Sequence, residues 1–343
     1  MSREVKNFCK SGKKKFGVGD YQGAIDDYSK AIELDPKDLQ TFIARAQAKY
    51  YSKDRQGAID DYSKAIELDP KNPARYFLRA HAKSHPMVGD YQGAIDDYSK
   101  AIELDPKNPD TYISRAHPKY LSGDYQGVID DYSKAIELDP KNPFTYISRA
   151  ETKFLVIDYQ GANDDHSKAI ELDPENPNIY YVIAGDLLVA KDYKGAIDNC
   201  TKAIELYPPE NLVGLHNLRA SAKFSLQDYQ GAIDDYTKEI ELVPENPKFY
   251  IERGKIKGYE LEDIQSAIDD YSKAIELDPE NPEGYILRAH SKYSSEDYEG
   301  AIYDCSKALE LTAYEPDKKK FLEWRSEMYQ KLSKIDLDNS QSL

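Results

Sequence analysis

The chain has 343 residues, with 62 Asp or Glu against 46 Lys or Arg and a formal net charge of −16, a balance that disfavours wrapping nucleic acid or lying on an anionic membrane. Apolar residues make up 40%, yet 29 tyrosines set the chain apart from disordered sequences, which are poor in aromatics. Cys9, Cys200 and Cys305 are too few for a disulfide framework and fit a reducing compartment; with no apolar signal core at Met1–Lys6 and no run long enough to span a bilayer, a cytoplasmic protein is expected.

Residues 4–18 form the first predicted helix, with Gly12 where later helices place a small residue. At Asp20 begins the string Asp-Tyr-Gln-Gly-Ala-Ile-Asp-Asp-Tyr-Ser-Lys-Ala-Ile-Glu-Leu-Asp-Pro, which then returns along the chain. Its leading aspartates are Asp20, Asp54, Asp90, Asp124, Asp158, Asp192, Asp228, Asp263 and Asp297, spaced by 34, 36, 34, 34, 34, 36, 35 and 34 residues. Nine copies occupy nearly the whole chain and leave no room for a separate catalytic domain. Each copy reads as two helices. From Asp124, residues Tyr125, Val128, Ile129, Tyr132, Ala135 and Ile136 recur at three- and four-residue spacing and mark one apolar helical face. Asp124 caps that helix and Asp139-Pro140 closes it, because proline disfavours helical geometry in the residue before it. Asn142-Pro143 opens the next helix, whose apolar stripe is Tyr146, Ala150 and Phe154. Beyond the ninth copy, residues 312–337 read as one amphipathic helix carrying Phe321, Leu322, Trp324, Met328 and Leu332, suited to capping the array. Residues 338–343 are expected to form a disordered tail.

Period and residue classes together resemble the tetratricopeptide repeat (TPR) family over roughly residues 1–311. One copy supplies Tyr112, Ala116, Tyr125, Val128, Tyr132, Ala135 and Pro140 at the family's aromatic, small and proline positions. The resemblance implies an all-α, right-handed α-solenoid of nine two-helix units. The chain departs from the commonest pattern in the opening helices, which carry an Arg/Lys pair: Arg45/Lys49, Arg79/Lys83, Arg115/Lys119, Arg149/Lys153, Arg219/Lys223, Arg253/Lys257 and Arg288/Lys292. The Asp-Asp pairs of the closing helices (Asp26/Asp27, Asp60/Asp61, Asp96/Asp97 and onward) form a ladder that is read as neutralising this one. A catalytic carboxylate pair would occur once, not in every copy.

No P-loop, zinc-ligand spacing, dinucleotide fingerprint or nucleophile elbow is present, so no cofactor and no metal are expected. Cys200, Cys305 and His166 stand in the column of Tyr28, Tyr62 and Tyr98 and are expected to pack in the core. Lys13 to Lys15 and Lys318 to Lys320 are read as solvated charge.

The resemblance places three columns of the opening helices on the concave surface. In the first, Ile43, Phe77, Ile113, Ile147 and Tyr181 are the candidates; in the second, Gln47, His81, His117 and Glu151; in the third, Tyr50, Tyr120 and Phe154. Such a floor suits a peptide or an amphipathic helix of a partner protein. The set with which some family members clamp a chaperone's C-terminal carboxylate is missing; its positions here hold Cys9, Lys13, Ala44, Ala74 and Leu78. The expected function is a non-enzymatic scaffold or adaptor for a protein partner, without nucleic acid or membrane. The alternative is an enzyme, or an enzyme's regulatory subunit, with a site among the divergent repeats. Three local irregularities are also expected. Pro118 should kink or break its helix, while Asn163 and Glu239, in place of Ile and Ala, should weaken the stretch from Asp158 to Glu245.

Overall fold

The computed structural model describes residues 2–208, 212–312 and 315–341. Among these residues every regular element is helical, and the chain divides into two compact units, Met1–Pro174 and Glu175–Leu343. The first unit holds α1 (Arg3–Gly17), α2 (Tyr21–Leu34), α3 (Leu39–Tyr51), α4 (Arg55–Leu68), α5 (Pro73–Lys83), α6 (Tyr91–Leu104), α7 (Pro109–Leu121), α8 (Tyr125–Leu138), α9 (Pro143–Leu155) and α10 (Tyr159–Leu172). The second holds α11 (Pro177–Val189), α12 (Tyr193–Leu206), α13 (Leu215–Ser225), α14 (Tyr229–Leu242), α15 (Pro247–Lys255), α16 (Ile264–Leu277), α17 (Pro282–Ser294), α18 (Tyr298–Leu311) and α19 (Glu315–Gln341). Within each unit, opening (odd-numbered) and closing (even-numbered) helices pack in succession, which is an all-α solenoid.

Helix boundaries follow from side-chain chemistry. Each of the nine closing helices starts on a leading aspartate whose carboxylate accepts a first-turn amide; Asp124 accepts from Gly127 N at 3.0 Å. Opening helices α5, α7, α9, α11, α15 and α17 start on Asn-Pro, with the Asn side chain accepting from the amide two residues on, as Asn142 does from Phe144 N at 3.0 Å. The core is a series of small clusters, one per repeat interface, such as Ala46, Ala58, Ile59, Tyr62 and Ala82. Cys200, Cys305 and His166 are buried in the tyrosine column, as their register requires.

Four sequence expectations are corrected. Of the kink or break expected at Pro118, the break does not occur: helix α7 continues through it, and Pro118 is fully buried in the column that holds Ala48, Ala82 and Thr152 in neighbouring repeats. Only one donor is lost there, near the helix end, and Ser122 N closes the turn onto Pro118 O at 3.1 Å. Asn163 is exposed and therefore buries no amide. Glu239 is fully buried and compensated at one oxygen only: its Oε1 accepts from Gly214 N at 2.8 Å and Asn217 N at 3.0 Å, while Oε2 is buried without a hydrogen-bond partner. Because α13 follows a left-handed Gly214 and lacks its own side-chain cap, Glu239 caps it from α14. Finally, α19 continues to Gln341, so residues 338–341 are helical and not a tail; residues 342 and 343 lie outside the described ones. Extending a formed helix costs little per residue. α19 rests on α18 through Phe321, Trp324, Met328 and Leu332.

Candidate interaction site

The two charged ladders set the orientation of the opening helices. Arg115 Nε and Nη2 donate to the two oxygens of Asp131 at 2.9 and 2.5 Å, and Lys119 Nζ reaches the same carboxylate at 3.0 Å. Arg115 Nη1 donates to Ser99 Oγ of the preceding closing helix at 2.9 Å, so one guanidinium ties three helices. The same arrangement recurs at Arg45, Arg79 and Arg149 in the first unit and at Arg219, Arg253 and Arg288 in the second. The Asp-Asp pair thus divides: Asp131 is buried in the ion pair, whereas Asp130 is exposed and accepts from Gln126 at 2.9 Å. At about 100° per residue, the three candidate columns (two before, two after and five after each Arg) fall roughly 140–200° from it. Pinning Arg and Lys inward therefore turns those columns outward.

Of the candidates, Gln47, Tyr50, Phe77, His81 and His117 are brought together on α3, α5 and α7. Gln47, Tyr50, Phe77 and His81 line a cavity of ≈ 240 Å³ with Tyr51, Tyr62 and Leu78. Tyr50, His81 and His117 line a second of ≈ 330 Å³ with Ser84, His85, Pro86, Tyr98 and Ser114. Phe77 and Leu78 continue into a third of ≈ 390 Å³ that includes Asp105 and Asp110. Tyr120 is 44% exposed and rests edge-on against Tyr125, while Phe154 is half-buried against Tyr159 and His166. Ile43 and Ile113 are half-buried, Glu151 is exposed, and Tyr181 is exposed in the second unit. Ile147 is a correction: at 4% exposed it is core and offers no surface to a partner.

Tyr51, His85 and Arg55 escaped the sequence reading, and Leu78 entered it only as a position of the missing clamp. Leu78 and Tyr51 are adjacent to named columns. His85 enters through the α5–α6 connection, whose signal is the two extra residues between Asp54 and Asp90. Arg55 stands where most copies have tyrosine and lies over the Tyr50 ring, its Cζ 3.8 Å from the centroid. Burial and the cations His85, Arg55 and His117 lower the pKa of His81 below its ordinary 6.5. Burial pushes the Tyr98 hydroxyl up to about 12. The same cause pushes the thiols of Cys200 and Cys305 up to about 12 and about 11, which makes both poor nucleophiles. At the positions of the chaperone clamp, Cys9, Lys13 and Ala44 line a cavity of ≈ 310 Å³ that also holds Asp38.

Comparison with known proteins agrees with this register. The family model described as TPR repeat matches residues 88–117 and 259–294, and that described as tetratricopeptide repeat matches residues 16–38 and 39–72. Among solved structures, the C-terminal part of a TPR repeat-containing protein from Cytophaga hutchinsonii superposes with a TM-score of 0.60 at 18% identity, covering 72% of this chain and 98% of that one. MamA (TM-score 0.48, 24% identity, 51% of this chain and 94% of that one) and yeast Tom70 (0.42, 17%, 96% of each) are further similar structures. No curated protein sequence matches significantly. The matched segments are tetratricopeptide repeats, whose fold is generally a non-enzymatic framework for protein interaction. No helix among the described residues is long and apolar enough to cross a membrane.

Proposed function

We propose that this protein is a non-enzymatic adaptor that holds a peptide segment or helix of a partner along the face of its opening helices. The observation that carries the reading is the run of cavities along α5. Phe77 and Leu78 are shared by the first two, and Tyr50 and His81 by the next two. Their residues on α5 recur at three- and four-residue spacing, so successive side chains of a bound segment meet successive pockets. Half-exposed aromatics such as Tyr50, Phe77, Tyr120 and Phe154 are the residue type in which interface energy concentrates. A cytoplasmic setting fits the three free cysteines. The enzyme alternative gains nothing from the histidine-lined cavity: Ser84 Oγ donates to the His81 carbonyl at 3.0 Å, not to an imidazole, and leaves no nucleophile–base pair on that serine.

The test is partner capture by the full chain and by two sets of variants. Tyr50→Ala with Phe77→Ala, and Tyr120→Ala with Phe154→Ala, should each weaken binding by roughly 1–4 kcal/mol with helicity unchanged. Reversing Lys13 to Lys15 should alter mainly the association rate and its salt dependence. If the lysine changes abolish binding while the aromatic truncations do nothing, the partner is held elsewhere and by charge.

A further inference from the structure

One cavity is free of the carboxylates that dominate the molecule. The chain carries −16 overall, and the cavity beside α1 opposes Lys13 with Asp38. In the ≈ 330 Å³ cavity, by contrast, His81, His85 and His117 converge around Tyr50 with the Ser84 and Ser114 hydroxyls. The rings of His81 and His85 lie 5.4 and 6.2 Å from that of Tyr50. The titratable groups around His81 are Tyr50 and Tyr51 of α3, Arg55 and Tyr62 of α4, His85 of the α5–α6 connection, Tyr98 of α6 and His117 of α7. The charges that act on it are those of His85, Arg55 and His117, and no carboxylate is among them.

The neighbouring cations of the opening helices are already matched: Arg79 and Lys83 both end on Asp97, and Arg115 and Lys119 on Asp131. Arg55 is not. Its Nε and Nη1 are buried without a hydrogen-bond partner. In other repeats the ring at the Tyr50 position rests on a tyrosine, as Tyr120 does on Tyr125 and Phe224 on Tyr229. A neutral ring fills that packing role, so the charge of Arg55 is something added to it. Arg55 does not itself line the cavity, but its guanidinium lies over the Tyr50 ring that does and its charge acts on His81, so a cation with two unpartnered buried nitrogens borders the site and favours an anion there. The histidines do not assemble a metal site, since no group of three metal-ligating side chains occurs among the described residues.

We propose that this cavity is a carboxylate subsite, which takes an Asp or Glu side chain of the segment bound along the opening-helix face and holds it more tightly as pH falls. The proposal rests on the peptide-binding reading above. His81 is the group whose charging a bound carboxylate favours, and His117 lines the cavity beside it. His85 is held in place by Met87 N, whose amide donates to its Nδ1 at 3.2 Å. In the free chain, burial and nearby cations disfavour the His81 imidazolium. An arriving carboxylate favours it, so binding takes up protons and the bound-state pKa lies above the free one. The pH-dependent gain is then fully present below the free-state pKa and is lost as pH rises through the bound-state value.

The probe is a displayed library of random peptides of about a dozen residues, selected on the full chain near pH 5.5, with amidated binders titrated by fluorescence anisotropy at about pH 5.5 and 7.5. Selected peptides should share an acidic position and bind about tenfold more weakly at the higher pH. Glu→Gln in the peptide, or His81→Gln with His117→Gln in the protein, should remove most of that pH dependence. Both histidines reach solvent, the His81 ring being only partly desolvated, so these variants should keep their helicity. Arg55→Tyr, which preserves the ring packing, should weaken acidic peptides at both pH values. Peptides that lose affinity with Phe77→Ala but ignore pH and both histidines overturn the subsite and leave the peptide-binding reading standing. Peptides indifferent to Phe77 as well, or a selection that yields none, overturn both.

Discussion

Repeats α9–α10 and α11–α12 share one register yet hold their helix pairs together in opposite ways. In the first, Arg149 and Lys153 both end on Asp165, at 2.5 and 2.8 Å, and Lys153 also donates to Gly161 O at 3.0 Å. In the second, the equivalent positions are Ile183, Leu187 and Asn199. Both apolar residues are buried, and Asn199 Nδ2 supplies the lost donor to Gly195 O at 2.9 Å. All three members change together because a partial change would bury a charge without its partner. A buried ion pair exchanged whole for apolar residues is often neutral, whereas losing one member costs several kcal/mol. The ladder thus maintains register and orientation more than net stability.

The largest expected effect comes from breaking that rule in one repeat. Asp165→Ala leaves Arg149 and Lys153 facing each other without a carboxylate and should cost about 3 kcal/mol. Hydrogen exchange should show the loss locally in α9 and α10, since solenoid stability is summed over neighbours. Asn199→Asp in the second unit should cost a similar amount, because its new charge would meet Ile183 and Leu187. Transplanting the apolar set as a whole, with Arg149→Ile, Lys153→Leu and Asp165→Asn, should cost less than Asp165→Ala alone despite three changes. A triple variant weaker than the single one, by urea titration, would break the comparison.

Smaller effects sharpen it. Glu239→Ala restores the residue most copies carry, yet should destabilise α13 by about 1–2 kcal/mol, because Gly214 and Asn217 lose their acceptor. Faster exchange of the Asn217 amide is the readout; an unchanged or slower rate would contradict the capping role. Ile157 is a β-branched residue at φ 65° on the turn before α10, where glycine is preferred. Ile157→Gly should therefore stabilise by about 1 kcal/mol, visible in the thermal midpoint. Asn163→Ile should move stability by no more than about 0.5 kcal/mol in either direction, since the side chain is exposed.

Much of this molecule is legible along the chain because its determinants are local and periodic. A leading aspartate caps each closing helix whatever surrounds it, Asn-Pro opens an opening helix through its own side chain and fixed φ, and a 34-residue period puts Arg, Lys and Asp into the same three-helix junction each time. The outward direction of Gln47, Tyr50, Phe77, His81 and His117 follows from the same arithmetic. What the tertiary structure alone decided is which neighbour each irregular residue meets. Asn163 and Glu239 are both departures from the repeat, but one turns to solvent and the other finds two orphan amides of a different helix. Ile147 sits in a column with Phe77 and Ile113 but is closed over by its surroundings. His85 joins the cavity only because two extra residues carry the α5–α6 connection back to Tyr50, and Arg55 meets the Tyr50 ring where most other repeats place a tyrosine. Register is written in spacing along the chain, whereas burial and pairing depend on distances through space that no spacing records.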